Sequence, residues 1–148
     1  MNPAIARLAS GLGSALQIDP QTVRPFIYGV FFDDVAAISG STPGQATQTI
    51  QVQGQDFWTL QRMFSCLVGS TLTQRPNVLV QLTDTGTGEN AFSQFVPVWS
   101  VFGDAYQPYV LSTPRWYSRN TSLSISVQNF ESSTIDLRLS LDGVRVFG

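Results

Sequence analysis

The chain contains no histidine and no lysine, and its single cysteine, Cys66, lies inside an apolar run. Each absence excludes chemistry. Without histidine there is no side chain that titrates unperturbed near neutral pH and no imidazole to ligate a metal. Without lysine every cationic side chain is an arginine, which stays protonated and serves neither as a general base nor as a Schiff-base amine. One cysteine cannot close an internal disulfide, and a lone thiol among apolar residues reads as a small buried hydrophobe. Charge of either sign is scarce: Asp, Glu, Lys and Arg make up 12% of the residues, about half the usual globular share, for a net charge of −2. The arginines form no basic stripe, so direct nucleic-acid binding is disfavoured. No apolar run nears the ~20 residues that cross a bilayer, so no membrane partner is expected. Arg7 falls within the N-terminal segment rather than ahead of an apolar core, which argues against a secretory signal and for synthesis in the cytoplasm. The expectation is a structural or binding protein, not an enzyme, with no cofactor and no metal.

What is present is uncharged polarity and strand-forming residues. Gln, Ser and Thr are abundant and aromatics reach 11%. The 148 residues suit one domain able to bury a full core without disulfides. Residues 1–20 read as an N-terminal helix or arm. Ile5, Leu8, Leu12 and Leu16 recur at helical steps behind Pro3, while Gly11 and Gly13 weaken the helix by about 1 kcal/mol each. It either packs on its own domain or folds against a partner. From residue 21 to 148 the period is two.

Phe26, Tyr28, Val30 and Phe32 alternate with Ile27, Gly29 and Phe31, a strand apolar on both faces. Asp33 to Gln45 reads as a loop. Ile50 and Val52 mark a half-buried strand, residues 57–68 fit a strand better than a helix, and Val78 to Leu82 form another. Phe92 to Phe102 is an apolar stretch bent at Pro97, expected at a sheet edge or bulge. Gly103 to Pro114 reads as irregular, closed by Tyr117. Leu123, Ile125 and Val127 alternate with serines. Ile135, Leu137, Leu139 and Leu141 alternate with Thr134, Asp136, Arg138 and Ser140, so each strand has a wet and a dry face. The odd step from Leu141 to Val144 predicts a bulge at Asp142-Gly143 inside one long final strand. These elements predict an all-β fold, an antiparallel β-sandwich resembling a jelly roll.

Three motifs have a chemical reading beside a plain one. Asp84-Thr85-Gly86 matches the aspartic-protease triplet, which works only as a pair of facing carboxylates sharing a proton. It is also ordinary hairpin-turn composition, and the candidate for the second apolar-apolar-glycine segment that such proteases carry, Val144-Arg145-Val146-Phe147-Gly148, has a charge in it. Asp84, Glu89 and Asn90, or Asp33 and Asp34, offer oxygens to calcium without a recognised spacing. Asn120-Thr121-Ser122 is formally a glycosylation sequon. Among the aromatics, Trp58 and Trp99 suit core positions. Tyr106, Tyr109, Trp116 and Tyr117, with Arg115 and Arg119, suit a surface that binds protein or stacks on sugar.

The stretch Pro108-Tyr109-Val110-Leu111-Ser112-Thr113-Pro114-Arg115 is followed by Asn120-Thr121-Ser122-Leu123-Ser124-Ile125-Ser126-Val127-Gln128-Asn129. The chain then ends in Ile135-Asp136-Leu137-Arg138-Leu139-Ser140-Leu141-Asp142-Gly143-Val144-Arg145-Val146-Phe147. This pattern over residues 92–148, and more loosely 23–68, resembles small virion proteins of tailed double-stranded DNA phages, of the capsid decoration or cement type. The resemblance implies a homo-oligomer on the capsid surface of a virion, assembled in the host cytoplasm and partnered by the major capsid protein. It transfers no functional residues. The expected contact residues, chosen from the residue patterns, are Ile5, Leu8, Leu12, Leu16, Tyr106, Tyr109, Arg115, Trp116, Tyr117 and Arg119. The alternatives are a carbohydrate-binding or host-recognition sandwich and a neck or tail component.

Overall fold

Leu123, Ile125 and Val127 have no solvent exposure, and the residues between them are half-buried. That alternation is the signature of a strand with one face on a core, and it organises the whole domain. The computed structural model describes Pro3 and residues 23–52, 57–67, 75–104 and 107–146, with side chains except at 57–61, 64, 66 and 67. The elements are β1 (Val23–Val35), β2 (Gly44–Gln51), β3 (Phe57–Leu67), β4 (Val78–Asp84), β5 (Glu89–Asn90), β6 (Val96–Pro97), the one-turn helix α1 (Val98–Val101), β7 (Tyr109–Tyr117), β8 (Ser122–Asn129) and β9 (Ile135–Val146). Pro3 apart, the expected N-terminal helix lies outside the described residues, as do Tyr106 and the side chain of Trp58.

Two antiparallel sheets face each other. The first runs β1-β9-β3-β7. The second runs β2-β8-β4, with β5 and β6 in succession along the far edge of β4. Counting β5 and β6 as one interrupted strand, this is the order of an eight-stranded jelly roll. The core lies between the sheets. Val30, Phe32, Met63, Leu137, Leu139 and Leu141 come from the first, and Val78, Val80, Leu82, Leu123, Ile125 and Val127 from the second.

Asn129 fastens the two sheets at one end. It is fully buried, and its amide donates to the carbonyls of Val35 (3.2 Å), Ala36 (3.0 Å) and Ser133 (3.0 Å) while its oxygen accepts the Glu131 N–H (2.9 Å). Every polar atom of the side chain is thereby satisfied, as burial demands. Gly44 belongs to the same junction: a Cβ there would collide with the Ala36 carbonyl.

Several sequence expectations change. The loop expected over Asp33 to Gln45 shrinks, because β1 continues to Val35 and β2 starts at Gly44. A bulge at Asp33–Asp34 lets the strand go on past the two aspartates. Asp34 takes φ 52°, and its N–H is capped by Asp136 Oδ1 at 2.8 Å. The irregular stretch expected to Tyr117 contains β7, whose ladder on β3 is interrupted by an excursion over residues 111–114. Phe92 to Phe102 yields the short β6 and then α1, with Pro97 as N-cap. The final strand is continuous as expected. Its ladder with β1 has no irregularity at Asp142-Gly143, and the shift falls on β3 between Leu60 and Arg62.

Candidate functional site

The outer faces of the two sheets differ in chemistry, and the difference follows from strand phase. In β1, Phe26, Tyr28, Val30 and Phe32 point toward the core, so Ile27, Gly29 and Phe31 point away from it. Ile27 and Phe31 are 59% and 58% exposed. Opposite them on β9 stand Asp142 and Arg138. Arg138 lies over the Phe31 ring at 4.9 Å, pairs with Asp33 at 2.6 Å and donates to the Phe32 carbonyl at 3.1 Å. Asp142 is 4% exposed and pairs with Arg62 of β3. Val110, 57% exposed, and Trp116, 39% exposed, extend this face onto β7, since Met63 and Tyr117 fix the opposite phase there. Val23, Val144 and Val146 are buried on the same side, apart from the inter-sheet core.

The outer face of the second sheet is hydroxyl and amide. Thr47, Thr49 and Gln51 of β2 lie beside Ser126, Ser124 and Ser122 of β8, which lie beside Gln81 and Thr83 of β4. Thr47 and Ser126 share a hydrogen bond at 2.9 Å. Strands β2 and β8 contain no charged residue at all. Gln81 secures the interrupted edge by donating to the Phe92 carbonyl (2.9 Å) and accepting the Phe92 N–H (3.3 Å).

A cleft opens where β7 leaves its ladder. Its volume is about 430 Å³, and Met63, Leu82, Phe92, Tyr109, Leu111 and Arg115 are among its walls. A second recess of about 180 Å³ adjoins Arg115 and brings Asp84, Glu89, Trp116 and Tyr117 together. Arg115 reaches across to donate to the Ala91 carbonyl at 3.1 Å. Gly103 shapes the approach to β7, because a Cβ there would meet the Gln107 carbonyl and the Tyr109 N–H.

Of the expected contact residues, Tyr109, Arg115, Trp116 and Arg119 are exposed and grouped along β7 and the turn after it. Tyr117 is not a surface residue: it is 5% exposed and part of the core, because it alternates with Trp116. Burial pushes its phenol up to about 12, with Arg115 pulling the other way and Asp84 adding to the rise. Trp99, expected in the core, is 46% exposed on α1, with Arg75 at 5.2 Å from its ring. Ile5, Leu8, Leu12, Leu16 and Tyr106 lie outside the described residues. Ile27, Phe31 and Val110 were not among the expected contacts. For the first two the signal was in the sequence, as a strand apolar on both faces.

Asp84 holds a turn. Its Oδ1 accepts the N–H of Gly86 (2.8 Å) and Thr87 (3.3 Å), and its carbonyl accepts that of Gly88 (2.7 Å). This is the hairpin composition of the motif realised as an Asx-type turn between β4 and β5. Of the other oxygen-bearing groups considered, Asp33 is paired with Arg138, and the Asn90 amide oxygen accepts from Thr83 at 2.8 Å. Among the described residues no three acidic, cysteine or histidine side chains converge as a metal site would require, and no helix is long and apolar enough to cross a membrane. Comparison of the chain with protein-family models, with curated proteins and with solved structures gave no match.

Proposed function

We propose that the chain is a non-enzymatic structural protein of a phage particle, a capsid decoration protein that binds copies of itself and neighbouring subunits of the shell. The observation that carries this reading is the unequal chemistry of the two outer faces. Of the large apolar side chains exposed among the described residues, Ile27, Phe31, Val110 and Trp116 share the outer face of the first sheet. The second sheet offers an uncharged, hydroxylated face to water. The four stand at the two edges of that face, on β1 and β7, with Arg138 and the Arg62–Asp142 pair between them, and their one-sided placement suits a module that lies flat on a larger assembly. Repetition over a lattice adds avidity to modest single contacts. The jelly roll recurs in viral capsid and lectin domains, an analogy of fold that leaves function to the surface. The test is binding of the purified protein to undecorated shells. Wild-type protein is expected to bind, and Phe31→Asp and Trp116→Ala, both at exposed positions, are expected to weaken binding while leaving the far-UV spectrum unchanged. Undiminished binding by both variants would contradict the assignment to this face.

A second reading has its own observation. Trp116 at the rim of a recess that also holds Asp84, Glu89 and Arg115 combines an aromatic surface with planar polar groups, the means by which sugars are held. A glycan array probed with wild-type and Trp116→Ala protein tests it. Binding lost in the variant favours recognition of a glycan, and no binding by the wild type removes it.

A further inference from the structure

Strand β1 pairs with β9 on one side, and among the described residues no strand pairs with its other side. An open edge of 13 residues is a template for another chain unless something blunts it. Two features blunt β1. Pro25, near its start, lacks an N–H, and the bulge at Asp33–Asp34 breaks the ladder near its end. Between them runs Phe26 to Phe32, and the midpoint of that window is Gly29. Gly29 is exposed, and so are Ile27 and Phe31 on either side of it.

We propose that this edge pairs with the same edge of a second copy, antiparallel about a two-fold axis at Gly29, joining two four-stranded sheets into one. The strand is complementary to itself in this register. Ile27 falls opposite Phe31 of the second copy, and the symmetry repeats the contact, so the exposed apolar side chains of each strand cover one another twice. Tyr28 meets Val30, and Pro25 meets Asp33, so the two edge-blunting features coincide. Arg24 of each copy lies across from the acidic end, Asp33–Asp34, of the other. The smallest slip that keeps each face on its own side is two residues. It would set Ile27 against Gly29 and Pro25 against Phe31, and the match would be lost. A two-fold contact closes on itself, so it consumes an apolar edge without building an open fibre.

The pairing deepens the assembly reading and rests on it for its setting, while its test is independent. The full-length chain is analysed by sedimentation or light scattering across its soluble range, beside Ile27→Arg and Gly29→Cys. Both positions are exposed, and a Cβ at Gly29 meets nothing nearer than the Phe31 ring at 3.4 Å, so both variants should keep the wild-type far-UV spectrum. The wild type should form dimers or even multiples, and Ile27→Arg should weaken self-association by at least ~10-fold. Residues directly opposite across an antiparallel ladder are about 4.5 or 5.5 Å apart between Cα atoms, within the roughly 4.4–6.8 Å that a disulfide spans. Gly29→Cys should therefore cross-link two chains on mild oxidation, where the wild type, with Cys66 alone, does not. A wild type that is monomeric throughout, or an oligomer that Ile27→Arg leaves intact and Gly29→Cys fails to cross-link, overturns the pairing. Binding to shells could then still hold, whereas dimers without shell binding would remove the assembly reading alone.

Discussion

Arg62 and Asp142 face each other across the β3–β9 ladder, beside the irregularity at Gln61, and both Nε (2.9 Å) and Nη2 (2.5 Å) of the arginine bond to the same carboxylate oxygen. The pair lies on the side of the sheet away from the core. A carboxylate with 4% exposure retains little hydration of its own, and the arginine supplies its counter-charge. Arg62→Met should lower unfolding free energy by roughly 3 kcal/mol, and the double variant Arg62→Met/Asp142→Leu should recover much of that loss, because an apolar pair avoids the desolvation penalty. Denaturant midpoints for the three proteins decide it. Equal losses in the single and double variants would mean that the pair does more than compensate its own burial.

The core prediction is sharper. Leu139 has no exposure and lies amid the inter-sheet cluster, so Leu139→Ala should cost about 2–5 kcal/mol. Thr49, exposed on the outer face of β2, should tolerate alanine within about 0.5 kcal/mol. Similar costs at the two positions would contradict the assigned phase of the sheets.

Strand phase decides how much of the fold could be read in advance. β8 and β9 were legible because serines and charged residues alternate with aliphatics, leaving one register that turns Leu123, Ile125, Val127, Leu137, Leu139 and Leu141 to the core. β7 was hidden by Pro114, which sits in the excursion that interrupts the ladder, so neither period nor phase carries through it. The surface role expected of Tyr117 and the core role expected of Trp99 failed for that reason. Whether an aromatic faces in or out depends on a register that breaks at residues 111–114, and on a helical turn where a strand was expected. Asp33 and Asp34 looked like a loop because two adjacent aspartates disfavour a strand. The bulge and the Asp136 cap at the Asp34 amide supply what the ladder loses. The apolar outer face was half legible, in the two-faced apolarity of β1, while the cleft beside Arg115 depends on contacts between strands far apart in sequence.

Asn129 should prove costly to change. Alanine there removes the donor shared by three carbonyls at the closed end of the sandwich, for an expected loss of roughly 1–3 kcal/mol. Gln128→Ala, next in sequence but on the outer face, should change stability by less than about 0.5 kcal/mol. Thermal or denaturant unfolding of the two variants separates them, and a neutral Asn129→Ala would show that the junction is held by other bonds.

The phenol of Tyr117 gives a pH prediction with a definite sign. Its value in the folded chain, about 12, exceeds the ordinary 10.0, so the folded state holds the proton more tightly than the unfolded one. The corresponding stability is complete below about pH 10 and is lost as pH rises toward about 12, up to roughly 2–3 kcal/mol. Tyrosinate absorbance should show a phenol titrating well above the ordinary 10.0 that is missing from Tyr117→Phe. Unfolding at high pH should be less steep in Tyr117→Phe. A Tyr117→Phe variant that keeps the same late-titrating absorbance as the wild type would contradict the burial of this ring.

The central claim, that this sandwich is a structural component bound over a shell through the outer face of its first sheet, is tested most directly by reconstruction of purified particles that contain the chain. The account predicts copies distributed over the shell, with Ile27, Phe31, Val110 and Trp116 turned toward neighbouring subunits and the Ser/Thr face of β2 and β8 turned to solvent. Copies confined to a single vertex, or attached with the hydroxylated face inward, would contradict it.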